Sequence, residues 1–275
     1  MLFYLKLGYW PDFRNPQTFN EKLNYRKLFS TDERFTTCSD KLEVRDWVGE
    51  RIGTEYLIPL LYSGERITAE QLLGLGDNIV AKASHDYKSA QLIRRNSLEI
   101  STMAVKRLEL TLRINFGLET NQVWYAKIKP MILVERLLMD GARQSPNDYK
   151  ILCFRRSDGS VKKLIEVHEN RGTPEYVISM YTENREPVRL RGNGEHRRAI
   201  RPFPCPEHWD HLLRIADTLG REFDHVRVDL YCVQERVYFG ELTFCDSGGR
   251  SPYTREDGVP NDMDLELGGY WHLAR

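Results

Sequence analysis

Between Arg227 and Phe244 the chain reads RVDLYCVQERVYFGELTF: two runs rich in Val, Tyr, Phe and Leu that meet at the polar corner Gln234, Glu235, Arg236. The period of two predicts the strands of an antiparallel hairpin. Successive side chains point to opposite sides of a strand, so Val228, Leu230 and Cys232 share one face and Arg227, Asp229 and Tyr231 the other. In the second strand Tyr238, Leu242 and Phe244 oppose Phe239, Glu241 and Thr243. With the three corner residues as the loop, Val233 faces Val237 and Asp229 faces Glu241. Two carboxylates so opposed have Cβ atoms roughly 5 Å apart and repel. A positive group must lie between them. One reading is an ordinary solvated sheet face with Arg227 neutralising Asp229. The other takes Asp229, Glu241 and the Thr243 hydroxyl as in-phase oxygen ligands without His or Cys, a set that suits Mg2+ completed by water and phosphate.

The rest of the chain supplies helices and further hairpins. Thr18 followed by Glu21 is a capping box opening a helix toward Phe29, and Asp40 to Ile52 gives a second helix stopped by Gly53. A second capping box, Thr68 to Gln71, starts a short helix ending near Gly74. Strands are expected over Asn78 to Ala83, Ala90 to Arg94 and Met131 to Leu138, with a helix from Ser97 to about Ile114. Tyr149 to Arg155 and Val161 to Val167 flank the turn Ser157-Asp158-Gly159-Ser160, and Pro206 to Leu219 is an amphipathic helix. Consecutive hairpins mixed with helices indicate an α+β fold and not a doubly wound parallel sheet.

A chain of 275 residues can bury a sizeable core as one domain or two lobes. Its 40 basic residues balance 40 acidic ones, so no global field draws it to nucleic acid or an anionic membrane. Binding to polyanions must be local, and nucleic acid ranks last among partners. The five cysteines include no CxxC pair, which argues against a disulfide framework or structural zinc and for reduced, mostly buried thiols in the cytoplasm. The apolar start MLFYLKLGYWP is too short to span a bilayer, and a packed first segment is preferred to a weak peripheral membrane contact.

Three further stretches carry chemistry. In VAKASHDYKSAQLI, Lys82 sits within an apolar strand where its ammonium must snorkel or meet an anion, and the loop through His85, Lys88 and Ser89 offers amides and hydroxyls to a phosphate, though without glycine. Glu135 in ILVERLL is either an exposed edge residue or an acceptor for an amine such as that of adenine. Asp148 and Lys150 in NDYKILCF read as a surface ion pair of little worth unless a ligand recruits them. Finally, Arg185, Arg189, Arg191, Arg197, Arg198 and Arg201 surround Gly192-Asn193-Gly194, either as a solvated loop or as a grip for carboxylate or phosphate.

In this order the pieces resemble the TupA-like ATP-grasp family, found with capsular and teichuronopeptide polysaccharide genes. NPQTFNEKLNYRKL, DKLEVRDWVGERIGTEYLIPLL, VAKASHD, ILVERLL, DYKILCF and RVDLYCVQERVYFGELTF carry the likeness over nearly the whole chain. The resemblance implies an ATP-grasp fold, two α+β lobes with the nucleotide between antiparallel sheets. It implies a helical segment over 1–77, a small lobe over 78–138 and a large lobe with the metal site over 139–275. Lys82 resembles the lysine that reaches the phosphates, and His85, Lys88 and Ser89 belong to the phosphate loop. Glu135 resembles the hinge acid that accepts the adenine amine, and Asp148, with Lys150 beside it, stands at the ribose-binding acid. Asp229 and Glu241 resemble the Mg2+ acids, Thr243 stands where many members have Asn, and Arg227 resembles the arginine that steadies the transferred phosphoryl group. The loop HDYKS departs from the family's glycine-bearing form, with Lys88 in a glycine position.

The implied function is an ATP-dependent, Mg2+-using carboxylate–amine ligase acting through an acyl phosphate, with a uronic acid or acidic glycan precursor and an amino acid as substrates. The alternatives are a kinase for a sugar hydroxyl and a nucleotide- or glycan-binding module without turnover.

Overall fold

The computed structural model describes residues 1–141, 145–191, 208–234 and 236–273. Its helices are α1 (Leu2–Leu7), α2 (Phe19–Phe29), α3 (Arg34–Ser39), α4 (Glu43–Ile52), α5 (Ala69–Gly74), α6 (Leu98–Thr111), α7 (Phe116–Thr120), α8 (Trp209–Gly220) and α9 (Asp262–Tyr270). The strands are β1 (Leu60–Gly64), β2 (Ile79–Ala83), β3 (Gln91–Ile93), β4 (Ile132–Arg136), β5 (Asp148–Arg155), β6 (Val161–Glu169), β7 (Val177–Thr182), β8 (Pro187–Val188), β9 (His225–Val233) and β10 (Arg236–Thr243). They form two antiparallel sheets, of order β1-β4-β2-β3 and β10-β9-β5-β6-β7-β8, which makes the fold α+β.

The chain divides into two compact units, one of Met1–Thr31 with Asp140–Arg275 and the other of Asp32–Met139. The sequence-based boundary at 138/139 falls one residue from this division, whereas the one at 77/78 falls inside the second unit. A hydrophobic pattern marks elements but not their partners, so it carries no sign that α2 packs against α9 and not against its neighbours in sequence.

In the second unit, both capping and apolar spacing act as expected. Thr68 accepts from the Gln71 amide and Gln71 returns the bond, opening α5, and Ser97 caps α6 through Ile100. Ile79, Ala81, Ile132 and Val134 alternate onto one sheet face and pack with Leu72, Ala104 and Leu108 of α5 and α6. The opposite face carries Lys82 and Glu135 together with Val80 and the buried Leu133.

In the first unit the Thr18–Glu21 capping box opens α2, and the buried Glu21 carboxylate also accepts from the amides of Asp12 and Gln17. The start of α2 is clamped onto the C-terminal helix: Asn20 N donates to Asp264 at 2.9 Å, Tyr9 donates to the same carboxylate at 2.8 Å, and Lys22 donates to the Gly268 and Trp271 carbonyls. A Cβ at Gly268 would lie 2.0 Å from the Gln17 carbonyl oxygen, so the approach requires glycine. Phe19 fills the centre of an aromatic cluster with Phe154, His225, Tyr253 and Trp271.

The other expected elements form with trimmed ends. The expected helix over Asp40 to Ile52 begins at Glu43, because the Asp40 carboxylate takes the Leu42 amide in a turn first. The amphipathic helix is described from Trp209; Pro206 and Glu207 lie outside the described residues. Among the described residues no helix is long and apolar enough to cross a membrane, and Cys153 and Cys245 are free, buried thiols. Cys205 lies outside the described residues.

Candidate functional site

The hairpin of β9 and β10 differs from its expected form in two places that cancel. Arg236 pairs with Val233, so the corner holds two residues and not three, with Gln234 in the left-handed region at φ 46° as such tight hairpin turns require. Further along, Phe239 pairs with Leu230 and Glu241 with Asp229, leaving Gly240 as an unpaired bulge. The bulge restores the opposition of Asp229 and Glu241. It also corrects the faces: Phe239, expected beside Glu241, turns onto the core face with Leu242 and Phe244. Bulges re-aim a side chain in this way. A Cβ on residue 240 would lie 2.9 Å from a Tyr231 ring carbon and 3.1 Å from the Asp229 carbonyl oxygen, which is why glycine fits.

The positive group between the two acids is Arg227. Its Nε and Nη2 donate to the two oxygens of Asp229 at 2.7 and 2.8 Å, a bidentate fork, and Nη2 reaches Glu241 at 2.9 Å and Thr243 at 3.0 Å. Nη1 donates to Asp246, which the Tyr253 hydroxyl also reaches at 2.9 Å. On the neighbouring strand β5, Lys150 sits opposite Asp229, pairs with it and lies 3.0 Å from Asp148. Arg171 approaches the same Asp148 oxygen at 3.2 Å. Four carboxylates (Asp148, Asp229, Glu241, Asp246) thus face three cations (Lys150, Arg171, Arg227), an excess of one negative charge.

Burial sharpens these charges. The Asp229 side chain is 1% exposed and that of Glu241 36%. Burial alone would push the Lys150 ammonium down, but Asp229, with Asp148 and Glu241 behind it, holds it above the ordinary lysine value against the opposing Arg227. Burial likewise opposes the Arg227 guanidinium, and Asp229 and Asp246 outweigh it. The Asp148 carboxylate and then burial push the Tyr231 phenol up. Lys150 and Asp148 are therefore not the surface ion pair of the bland reading: both are buried in the same cluster.

Among the described residues no group of three or more His, Cys, Asp and Glu is disposed to hold a metal ion, so they build no all-protein cage. Mg2+ asks for less, one or two carboxylates with the rest from water and phosphate. The hard oxygens of Glu241, Thr243 and Asp229 suit it in kind, and the surplus negative charge favours it. Asp229 gives both oxygens to Arg227, so the half-exposed Glu241 is the readier donor.

The second polar cluster lies in the unit of Asp32–Met139. Val80 and Lys82 of β2 stand opposite Glu135 and Leu133 of β4, on the sheet face away from the core. Glu135 is on an inner strand and buried, so the exposed-edge reading fails. Its oxygens meet Lys82 at 2.6 Å and Arg45 of α4 at 2.8 Å, and Arg45 also donates to the Ile58 carbonyl at 2.8 Å. Two cations share one carboxylate. The loop after Lys82 is self-braced: the Ser89 hydroxyl accepts from the Ala83 amide at 2.8 Å and donates to Asp86 at 2.5 Å, and Lys41 donates to the Asp86 carbonyl. His85 is buried with Nε2 3.2 Å from the Ile114 carbonyl oxygen, while Tyr87 is exposed and the Lys88 ammonium lies 5.2 Å from its ring centre.

The structure thus gathers Arg227, Asp229, Glu241, Thr243, Asp148 and Lys150 in one unit, and Lys82 and Glu135, with the loop of His85, Lys88 and Ser89, in the other. The arginine loop is not gathered. Arg189 stands 3.9 Å from Glu256, Arg191 reaches the carbonyls of Glu256 and Gly258, and Arg185 closes a turn at φ 68°. Arg197, Arg198 and Arg201 lie outside the described residues. Sequence reasoning missed Arg45, Lys41, Asp246 and Tyr253. Only Asp246 had a local signal, an acid three residues beyond β10 in CDSGG; the others arrive by tertiary contact.

The family model described as TupA-like ATPgrasp matches residues 21–272. No curated protein matches the sequence. Among solved structures, the chain is similar to an L-amino acid ligase from Bacillus licheniformis, with 14% identity and a TM-score of 0.48 over 78% of this chain and 45% of that one. It is also similar to the D-alanine-D-alanine ligase of Helicobacter pylori, at 9% identity and a TM-score of 0.49 over 92% and 69%. A third is the D-alanine–D-alanine ligase from Bacillus anthracis complexed with ATP, at 12% identity and a TM-score of 0.44 over 85% and 61%. The chain spans less than half the length of the first of these.

Proposed function

The chain belongs to the TupA-like ATP-grasp family, and from that premise we propose that it is an ATP-dependent carboxylate–amine ligase. A substrate carboxylate oxygen attacks the γ-phosphorus of ATP; the O–P bond forms, the β,γ-bridge breaks and ADP leaves. An amine nitrogen then attacks the acyl carbon, the C–N bond forms, phosphate leaves, and the nitrogen gives up a proton.

The observation that carries this reading is the Arg227 cluster, cations and acids fixed on adjacent strands and on the turns beside them, with one carboxylate in surplus. Arg227 and Lys150 offset negative charge as the phosphoryl group moves, held in place before the reaction begins. Lys82 reaches the phosphates, with His85, Ser89 and Lys88 alongside, and Glu135 accepts the adenine amine. Glu241, Asp229 and Thr243 would hold Mg2+, which when bound would neutralise phosphate charge. In this reading the carboxylate comes from a uronic acid or acidic glycan precursor of a surface polysaccharide.

The test needs no acceptor. Mg-ATP is titrated calorimetrically into the wild type and Glu241→Ala, with and without EDTA. Wild-type binding that needs the metal and weakens at least tenfold in the variant is expected; a folded wild type that does not bind sinks the proposal. One observation favours a second reading, a binding module without turnover. The Ser89 hydroxyl is committed to Ala83 and Asp86, and the loop lacks glycine. That reading predicts Mg-ATP binding but no ADP formation with any carboxylate and amine.

A further inference from the structure

On the same sheet, one strand beyond Lys150, two buried polar atoms face each other's strands without partners. Asp148 of β5 stands directly opposite His168 of β6, and Lys150 opposite Glu166. Asp148 spends only Oδ2 on Lys150 and Arg171; its Oδ1 is buried and meets no donor among the described residues. His168 bonds through Nδ1 to the Tyr176 hydroxyl at 2.6 Å, while Nε2 is buried without a hydrogen bond and 3.8 Å from Glu166 Oε2. Both residues are more than nine-tenths buried. Leaving such a group unsatisfied costs about 1–3 kcal/mol, so two on one directly opposed pair point to a missing occupant.

The surroundings define its chemistry. Asp148 Oδ1 needs a donor. With Nδ1–H donating to the Tyr176 oxygen, His168 Nε2 keeps its lone pair and also needs one. Glu166 adds a second carboxylate, so a hydrogen-rich cation is preferred to a hydroxyl. Arg171 bonds Asp148 through Nη1 alone, and its side chain is 58% exposed, leaving guanidinium donors for an anion. A positive group wanted beside a negative one describes a zwitterion.

We propose that Asp148, Glu166, His168 and Arg171 form the subsite of an α-amino acid. Its ammonium is held by Asp148 Oδ1 and His168 Nε2, and its carboxylate by Arg171. This rests on the ligase reading and gives the amine of that reaction its place, with Asp148 serving the amine instead of the ribose that the resemblance implies. His168 Nε2 takes one proton from the bound ammonium, which frees the nitrogen lone pair to attack the acyl carbon; the second proton leaves with the departing phosphate as the C–N bond forms, and the imidazolium loses the first to solvent.

The probes are the twenty common α-amino acids, each titrated into the full chain with and without Mg2+ and a non-hydrolysable ATP analogue. At least one should bind, with Kd raised tenfold or more in His168→Gln and in Arg171→Met. Its methyl ester, which lacks the carboxylate, should bind wild type and Arg171→Met alike, a result that a merely structural arginine would not give. Arg171 is exposed, so its variant remains informative even if His168→Gln does not fold. The proposal is overturned if none of the twenty binds in either condition, or if binding ignores both substitutions, in which case the unpaired atoms hold only an ordered water. Failure of the analogue to bind strikes the ligase reading instead, and the nucleotide-free titrations then decide the subsite.

Discussion

The polar clusters of the two units are built with opposite surpluses. Around Arg227, four carboxylates meet three cations; around Glu135, two cations meet one carboxylate, with Lys88 on the adjoining loop and Lys41, from the turn before α4, donating to that loop's Asp86 carbonyl. The first arrangement is short of a cation and the second short of an anion. Ion pairs in a folded chain are often read as struts, yet buried pairs repay their desolvation poorly. What distinguishes these two is the charge each leaves uncancelled. Each surplus is the part of the cluster that is free to act on a ligand.

The strongest way to break the comparison is Arg227→Ala, which strips the acid-rich cluster of its centre and leaves Asp229 and Asp246 buried with one less partner each. A loss of about 3–5 kcal/mol in urea unfolding is expected; a loss under about 1 kcal/mol would mean that the acids are satisfied without it. Acid offers a control from the neutral end of the same sheet face. Burial first, and Arg26 second, push His225 down to about 3. Its folded pKa lies below the unfolded value near 6.5, so the stabilisation is complete above pH ~6.5. It is lost as pH falls from there toward 3, by up to about 1.4 kcal/mol per pH unit. Unfolding curves should show this slope between pH 6.5 and 5, before ordinary carboxylates titrate, and His225→Phe should flatten it.

Lys82→Met sharpens the contrast, because Arg45 alone still neutralises Glu135. Melting temperature should hold within a few degrees while Mg-ATP affinity drops about tenfold, some 1.4 kcal/mol. Unchanged affinity would deny that the surplus cation meets phosphate. The smallest effect lies in the two capping boxes. Thr18→Ala unseats a buried network and should cost about 2 kcal/mol, whereas the exposed Thr68→Ala should cost about 0.5 kcal/mol. Equal losses in chemical denaturation would show that burial around Glu21 adds nothing.

Much of this was legible in the residues. Capping boxes, the Ser157–Ser160 turn and the hairpin acids are local patterns, and local patterns survive folding. The opposition of Asp229 and Glu241 was read correctly through two compensating faults, since a one-residue bulge at Gly240 cannot be told from a one-residue longer corner by periodicity alone. Glu135 shows the other limit. Its neighbours in sequence say nothing of Arg45, ninety positions away, so whether it is edge or interior is settled by strand order. The orphaned His168 was invisible for the same reason: an unpaired atom has no sequence signature.

The clamp of α2 onto α9 also bears on how the chain comes to be folded. Phe19 and Leu23 leave the ribosome roughly 240 residues before the helix they bury against. At 5–20 residues per second that delay is on the order of ten to fifty seconds. Asp32–Met139 is contiguous and has its own core, so it can complete during the wait. Helix α2, by contrast, spends that interval with Phe19 and Leu23 unburied, the natural client of a chaperone.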